Sequence, residues 1–287
     1  MSKKITIPQF KTLREEGKHF SMITCYDYCM ARIVDESDCQ AILVGDSLAN
    51  VVYGYSSTVP VTLEQMIMAT KAVVAGAPNT LIVGDLPFGS YQESDEQAVH
   101  SAVRLMKEGG CDCVKLEGGK NVASRIEAIV KTGIPVFAHI GLTPQSAAAL
   151  DGMRVQGKKL DDAISLYEDV IAVERAGAFA CVVECVPVSL CKKLNEAVKM
   201  PLFAGGKGTD CAGAGLNLYD MFGFFERAPK FVKKYGNFHE MMVKGLNQFH
   251  AEVNDGTYPA EEHSYYVEIP GLDEAIEEAK EKICRRD

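Results

Sequence analysis

Short apolar runs recur along the chain, and the polar segments between them are long enough to hold helices. Seven runs have the length and composition of buried β-strands, and a weaker eighth candidate lies at residues 215–219. The seven runs cover residues 20–25, 41–45, 80–84, 112–116, 134–139, 180–186 and 201–204. Strands that alternate with helices are typical of a parallel sheet.

The segments between the runs carry helix signals. Across residues 159–177, apolar positions recur at the 3.6-residue period of a helix with one buried face. Thr62-x-x-Gln65 and Ser94-x-x-Gln97 have the spacing of capping boxes, in which two side chains satisfy the first backbone groups of a helix. These signals predict helices on the connections between strands.

Eight such strands predict a closed (β/α)8 TIM barrel, whereas six would form an open doubly wound sheet, which is the alternative. The 287 residues fit a barrel of roughly 250 residues with an addition. Because no linker or low-complexity segment interrupts the pattern, we predict one domain over 1–287, with 230–287 as a helical C-terminal extension. Residues 272–286 place acidic side chains early and basic ones late, which suits a helix dipole.

Net charge and cysteine content limit the classes of binding partner and the cellular compartment that we expect. The chain has 30 lysines and arginines against 39 aspartates and glutamates, a net charge of −9. We therefore expect neither nucleic acid nor an anionic membrane surface as a partner. Ten cysteines without a CxxC pair indicate reduced thiols, and the N-terminus lacks an apolar signal region, so we expect a cytoplasmic protein.

Ionisable residues follow six successive predicted strands. They are Tyr26-Asp27, Asp46 with Ser47, Asp85, Lys115 with Glu117, His139 and Glu184. In a parallel barrel these strand ends meet at one rim, where active sites lie. A single aspartate after a strand is more often a helix cap, and a single histidine is more often a buried structural residue. The convergence of six such positions favours a shared site.

The residue types at this rim suit one chemistry. Asp46, Asp85 and Glu117 offer hard oxygen ligands of the kind that Mg²⁺ prefers. A Mg²⁺ ion held there can chelate a 2-oxo acid, polarise its carbonyl and acidify the neighbouring C–H bond. Glu184 is then the candidate base, and Lys115 is the candidate group that stabilises the enolate.

Two glycine-containing motifs carry less weight. GMRVQGKK (152–159) approaches a P-loop, but its last position is lysine and no strand precedes it. GGKGTDCAGAG (205–215) matches no dinucleotide fingerprint and is interpreted as a mobile loop region after a strand. Neither motif predicts nucleotide binding.

Longer motifs of the chain resemble the ketopantoate hydroxymethyltransferase family. The matching segments run from about residue 20 to residue 266, nearly the whole chain, and GDLPFGSY and HIGLTPQ are the most specific. The segments are TCYDYCMARIVDES, LVGDSLANVVYGYSSTVPVTLEQM, GDLPFGSY, VKLEGG, VFAHIGLTPQS, RVQGK, ECVP, PKFVKKY and EEHSYY.

The resemblance implies a (β/α)8 barrel of the phosphoenolpyruvate mutase/isocitrate lyase superfamily, with Mg²⁺ and a homo-oligomeric, decameric assembly. It implies hydroxymethyl transfer from 5,10-methylenetetrahydrofolate to 3-methyl-2-oxobutanoate, giving 2-dehydropantoate in pantothenate biosynthesis. It also implies roles for seven residues. They are Asp46 and Asp85 as metal ligands beside the substrate, Glu117 in the metal's shell, Ser47 and Lys115 as substrate contacts, Glu184 as the base that takes the C3 proton, and His139 as a catalytic residue lining the site.

One segment departs from the family pattern. Family members read close to IGIGAGPDCDGQVLV where this chain has LFAGGKGTDCAGAGLNLYD, residues 202–220, with Lys207 as a new cation. Asp151 and Met153 stand where glycine and tyrosine are common. The departure motivates an alternative, a superfamily paralogue that performs Mg²⁺-dependent enolate chemistry, as a C–C bond lyase or a transferase, on another 2-oxo acid. A non-catalytic barrel is disfavoured, because a binding protein needs no base such as Glu184.

Overall fold

The computed structural model describes residues 4–150, 152–205 and 211–285. The chain divides into two compact units, Met1–Asn237 and Phe238–Asp287. The first unit is a closed barrel of eight parallel strands in chain order, in which the eighth strand pairs with the first. The predicted (β/α)8 barrel is confirmed, and the open doubly wound sheet is wrong.

Each predicted apolar run forms a strand of the barrel. The strands are β1 Phe20–Thr24, β2 Ala41–Val44, β3 Leu81–Asp85, β4 Cys113–Glu117, β5 Val136–Gly141, β6 Ala180–Glu184, β7 Leu202–Gly205 and β8 Gly213–Asn217. The weak candidate at 215–219 is confirmed for residues 215–217, which end β8, whereas residues 218 and 219 begin the next helix. Part of the glycine-rich segment 205–215 belongs to that strand rather than to a loop, because its backbone pairs with β7 and β1. Lys207 and Asp151 lie outside the described residues.

Helices connect most of the strands and cover the outside of the barrel. The helices of the first unit are α1 Ile7–Glu15, α2 Tyr28–Asp35, α3 Leu48–Val51, α4 Leu63–Gly76, α5 Asp95–Arg104, α6 Ala123–Lys131, α7 Leu160–Arg175, α8 Val188–Ala197 and α9 Leu218–Met221, with a π-helical turn at Leu105–Gly109 and 3₁₀ turns at Lys120–Val122 and Pro144–Ser146. No helix within the three described ranges is long and apolar enough to cross a membrane.

The second unit consists of two helices joined by the connection 256–271. Helix α10 spans Phe238–Asp255, a 3₁₀ turn spans Glu261–His263, and helix α11 spans Leu272–Cys284. The predicted helix over 272–286 is thus confirmed in its described part. Within the connection, the Tyr258 ring lies 5.4 Å from the Phe249 ring, measured between centroids. This aromatic contact ties the connection to α10.

The two predicted capping boxes have different outcomes. At the start of α4, Thr62 and Gln65 each bond the other's backbone N–H, as predicted. At the start of α5, Ser94 accepts the N–H of Gln97, but the Gln97 side chain accepts the N–H of Glu93 instead of that of Ser94. Both contacts still satisfy N–H groups that have no partner within the helix.

Aromatic rings fill the barrel at the amino ends of its strands. Phe20 and Phe203 are stacked with centroids 5.5 Å apart, and Phe137 meets Phe203 edge-on at 5.1 Å. From α1, Phe10 packs on Phe20 at 4.8 Å and is fully buried. Offset and edge-on pairs of this kind stabilise beyond their buried area. The rings close this end of the barrel, so the site must open at the other end.

Gly213, the first residue of β8, lies between Phe20 and Phe203 in the strand pairing. A Cβ at Gly213 would lie 2.6 Å from a carbon of the Phe203 ring, closer than side chains tolerate. Gly215 on the same strand is different, since its Cβ would first meet the flexible end of Met22 at 3.3 Å. Aromatic packing therefore explains why β8 begins with glycine.

We expect Gly213→Ala to lower the free energy of unfolding by about 1–3 kcal/mol, because the added methyl group overpacks the aromatic layer. The matched control is Gly215→Ala on the same strand, which should change it by less than about 1 kcal/mol. Urea unfolding of both variants and the wild type measures the difference. Equal destabilisation by the two substitutions would contradict the packing argument.

Candidate active site

A cavity of about 480 Å³ opens at the carboxyl ends of the strands. All seven residues that the resemblance singled out line it, namely Asp46, Ser47, Asp85, Lys115, Glu117, His139 and Glu184. Asp27, which the sequence placed at the same rim, instead caps α2 by accepting the N–H of Met30 at 2.9 Å. The helix-cap interpretation is correct for Asp27. It does not explain those seven residues, which line the cavity together.

Strand register brings the central groups together. Asp85 on β3 lies beside Lys115 on β4, and Glu117 on β4 lies beside His139 on β5. Lys115 and Glu117 are two residues apart, so both side chains point into the barrel. The alternation of a single strand thus delivers a cation and an anion to the same cavity.

Lys115 is paired with Asp85, and both side chains are almost fully buried. Its Nζ lies 2.7 Å from both carboxylate oxygens of Asp85 and 3.6 Å from Oε1 of Glu117. The exposed fractions of the Lys115 and Asp85 side chains are 4% and 1%. Burial lowers the pKa of a lysine, but the nearby carboxylates outweigh it and raise the Lys115 pKa above its ordinary value. The ammonium therefore stays charged.

Ionisation of the Asp46 carboxyl group is disfavoured in this cluster. Burial raises its pKa first, and repulsion from Asp85 and Glu117 adds to that, so that the Asp46 pKa reaches about 7. Two contacts lower the Asp46 pKa in part: the charge of Lys115, and the Gln145 amide, which donates to Oδ2 of Asp46 at 3.0 Å. The cluster holds more negative charge than its own cations balance.

His139 lies between two carboxylates. Nδ1 is 3.3 Å from Oε1 of Glu117, and Nε2 is 3.3 Å from Oε2 of Glu184. These distances suit charge attraction, although the geometry is looser than that of a full hydrogen bond. Burial lowers the pKa of the imidazole, but the two carboxylates outweigh it and raise the His139 pKa to about 9. A charged imidazole consequently links Glu117 to Glu184.

Two neutral residues that the sequence did not single out hold the carboxylates in place. The backbone N–H of Gln145 donates to Oε2 of Glu117 at 3.0 Å, while its side chain bonds Asp46. The Tyr91 hydroxyl lies 2.6 Å from Oε1 of Gln145 and 3.1 Å from the backbone oxygen of Glu117. Gln145 is 5% exposed and Tyr91 1%. The only signal in the sequence was their place inside the motifs HIGLTPQS and GDLPFGSY.

The backbone around Glu184 has an unusual conformation. Cys185, the next residue, has a φ of 49°. Among the described residues, no other non-glycine residue has a positive φ. Gly141 has a φ of 90°, and a Cβ there would lie 2.3 Å from the Glu184 carbonyl oxygen. That oxygen accepts the N–H of Leu142 at 2.9 Å. Strained or close-packed backbone of this kind is frequent at functional sites.

The outer wall of the cavity is apolar and aromatic. Phe225 and Phe231, which follow β8, line the mouth together with Met153, and their exposed fractions are 40%, 38% and 64%. Large exposed apolar side chains around a polar pocket are typical of a ligand site. The inner pocket thus suits a small charged molecule, and the wall suits a flat apolar one.

Comparisons with known proteins agree with this geometry. The family model described as ketopantoate hydroxymethyltransferase matches residues 4–261. A 3-methyl-2-oxobutanoate hydroxymethyltransferase from Heliobacterium modesticaldum is 50% identical over 275 residues, which cover 95% of this chain and 100% of the relative. One from Moorella thermoacetica is 48% identical over 263 residues, covering 91% and 98%.

Solved structures share the fold at far lower identity. Phosphonopyruvate hydrolase, solved with oxalate and Mg²⁺, is 12% identical with a TM-score of 0.57 and covers 98% of each chain. 2,3-Dimethylmalate lyase, a member of the PEP mutase/isocitrate lyase superfamily, is 13% identical with a TM-score of 0.57 and covers 98% of this chain and 99% of its own. These structures support the barrel architecture. The family model and the close relatives go further: the chain belongs to the ketopantoate hydroxymethyltransferase family.

Proposed function

We propose that the chain transfers a hydroxymethyl group from 5,10-methylenetetrahydrofolate to 3-methyl-2-oxobutanoate, giving 2-dehydropantoate for pantothenate biosynthesis. The names of its close relatives support the acceptor and the reaction. The observation that carries the proposal is the position of Glu184. Its side chain is 23% exposed at the cavity, whereas those of Glu117 and Asp85 are 2% and 1% exposed. Glu184 is therefore accessible to a substrate proton.

The donor set fits Mg²⁺. Among the described residues, no three side chains of Asp, Glu, His or Cys form a ready-made metal site. Mg²⁺ does not need one, since it usually takes one or two carboxylates and completes its shell with water and substrate oxygens. Asp46 and Asp85 would hold the ion, and Glu117 would reach it through water. Burial and then repulsion from Asp85 and Glu117 raise the Asp46 pKa, and a divalent cation would relieve that repulsion.

When bound, Mg²⁺ would polarise the keto group of the acid and make its C3 proton more acidic. Glu184 then takes that proton as general base. The charged His139, 3.3 Å away, holds the carboxylate in one orientation and balances its charge. Lys115 remains charged beside Asp85 and offsets the negative charge that develops on the keto oxygen.

The outer wall supports folate as the second substrate. A pterin ring is flat and apolar on its faces, and Phe225 and Phe231 offer aromatic surfaces at the mouth. The inner pocket would hold the acid below it, with C3 facing outwards. Water would hydrolyse the methylene bridge to formaldehyde and tetrahydrofolate. The deprotonated C3 of the acid then adds to the formaldehyde carbon, and the resulting alkoxide takes up a proton to become the hydroxyl of the new hydroxymethyl group.

We expect Glu184→Gln to slow deuterium exchange at C3 of 3-methyl-2-oxobutanoate by at least about 100-fold, because the amide cannot accept the proton. Proton NMR measures the exchange with Mg²⁺ and without folate. Glu196→Gln, an exposed glutamate on α8, is the matched control and should exchange at the wild-type rate. Wild-type exchange by the Glu184 variant would remove Glu184 as the base.

Phe231→Ala should raise KM for methylenetetrahydrofolate by up to about tenfold, because it removes an aromatic surface from the mouth. Deuterium exchange without folate should stay at the wild-type rate. Tyr235→Ala provides a control, since Tyr235 is an exposed aromatic residue in the same segment that does not line the cavity. If the wild type exchanges the C3 proton but forms no product with methylenetetrahydrofolate, the alternative electrophile of a superfamily paralogue is favoured.

A further inference from the structure

A chain of hydrogen bonds runs from β8 to the cavity through a buried tyrosine. Nδ2 of Asn217 lies 2.6 Å from Oη of Tyr26, and that Oη lies 2.8 Å from Oγ of Ser47. The three residues come from the carboxyl ends of β8, β1 and β2, which are neighbours in the barrel. Asn217 and Ser47 line the cavity, while Tyr26 is 3% exposed. The sequence placed Tyr26 at this rim, but the seven residues that the resemblance singled out include Ser47 and neither Tyr26 nor Asn217.

The direction of this chain is fixed at its Asn217 end. The backbone N–H of Tyr219 donates to Oδ1 of Asn217 at 3.0 Å, where Asn217 caps α9. A backbone N–H only donates, so the amide oxygen must face Tyr219 and the amide nitrogen must face Tyr26. The opposite orientation would bring two N–H donors together at Tyr219.

The orientation of the Asn217 amide also determines which hydroxyl donates in the hydrogen bond between Tyr26 and Ser47. Its hydroxyl carries one proton, and among the described residues its hydrogen-bond partners are Asn217 and Ser47. Since the oxygen accepts from Asn217, the proton of Tyr26 goes to Ser47. Burial raises the pKa of the phenol well above its ordinary value, so the proton stays in the chain. The Tyr26 ring is held by stacking on Tyr219, with centroids 5.7 Å apart.

Ser47 then has its own proton left for the cavity. We propose that Asn217 is a positioning residue that makes Ser47 a hydrogen-bond donor toward the substrate. A donor at this point selects an oxygen that only accepts, such as the carboxylate or keto oxygen of a 2-oxo acid. The inference rests on the proposed function for the identity of that acid. Asn217 lies within 202–220, the segment that departs from the family pattern.

Asn217→Asp reverses the direction of the hydrogen bonds from residue 217 through Tyr26 to Ser47, and it hardly changes the size of the side chain. Aspartate still accepts the N–H of Tyr219 and remains a good helix cap. Its second oxygen accepts from Tyr26, which must then accept from Ser47, so Ser47 turns its proton away from the cavity. We expect the Kd and KM for 3-methyl-2-oxobutanoate to rise about 10- to 100-fold, with a much smaller change in kcat, since a hydrogen bond to a charged group is lost.

The new charge of the aspartate would itself repel an anionic acid, and a second background separates the two effects. In the Tyr26→Phe background the chain is broken, so Asn217→Asp adds only its charge. Asn217→Asp should therefore weaken binding at least about tenfold more when Tyr26 is present than in the Tyr26→Phe background. Titration calorimetry with the keto acid and Mg²⁺ measures all four proteins.

Each outcome decides one point. The same loss of affinity in both backgrounds overturns the role of Asn217 and leaves the proposed function intact, provided that the wild type binds the acid and exchanges its C3 proton. Failure of the wild type to bind the acid overturns the proposed function, and the inference with it. A larger loss in the presence of Tyr26, confined to Kd and KM, supports the directed chain.

Discussion

The buried ion pair between Lys115 and Asp85 is the contact on which the rest of the site depends. A buried ammonium requires carboxylates around it, and two contacts at 2.7 Å to the Asp85 oxygens hold it in place. Removing one partner of a buried pair leaves an unbalanced charge, which costs about 3–5 kcal/mol. The charge of Lys115 also keeps Glu117 ionised, because it offsets the burial of that carboxyl and holds its pKa below the ordinary value. The remaining ionisable groups are arranged around this centre.

The two ends of the barrel contain different kinds of side chain. Phenyl rings fill the amino ends of the strands, whereas charged and polar groups occupy the carboxyl ends. Backbone hydrogen bonds fix the spacing between strands, and the strand register fixes which ionisable groups are neighbours. The pairing of the strands therefore sets the geometry of the charged groups.

The charged half of the site was predictable from the sequence because charge after an apolar run is conspicuous. Asp46, Asp85 and Glu184 each end such a run, and a parallel barrel brings such ends together. Neutral residues give no comparable signal. Gln145 contacts Asp46 across 99 positions of the chain, and nothing in the local pattern predicts that pairing.

The start of β8 and the role of Asp27 are likewise decided by contacts with other parts of the structure, which the local sequence does not reveal. β8 begins at Gly213, two residues before the predicted candidate, because a glycine-rich segment lacks the β-branched pattern of a strand. Its pairing with two neighbouring strands, not its own propensity, makes it a strand. Asp27 follows a strand as Asp46 does, but its carboxylate bonds the backbone of the next helix. Local sequence does not separate these two uses of an aspartate.

The closed aromatic end has a consequence for the order of events. Phe10 and the rings beside it fill the amino end of the barrel, so the approach to the cavity along the described residues lies at the other end, past Phe225 and Phe231. For the proposed reaction, the small acid occupies the inner pocket and the folate lies above it at the wall. With the substrates placed in this way, the acid would bind before the folate, and the folate would depart before the elongated acid.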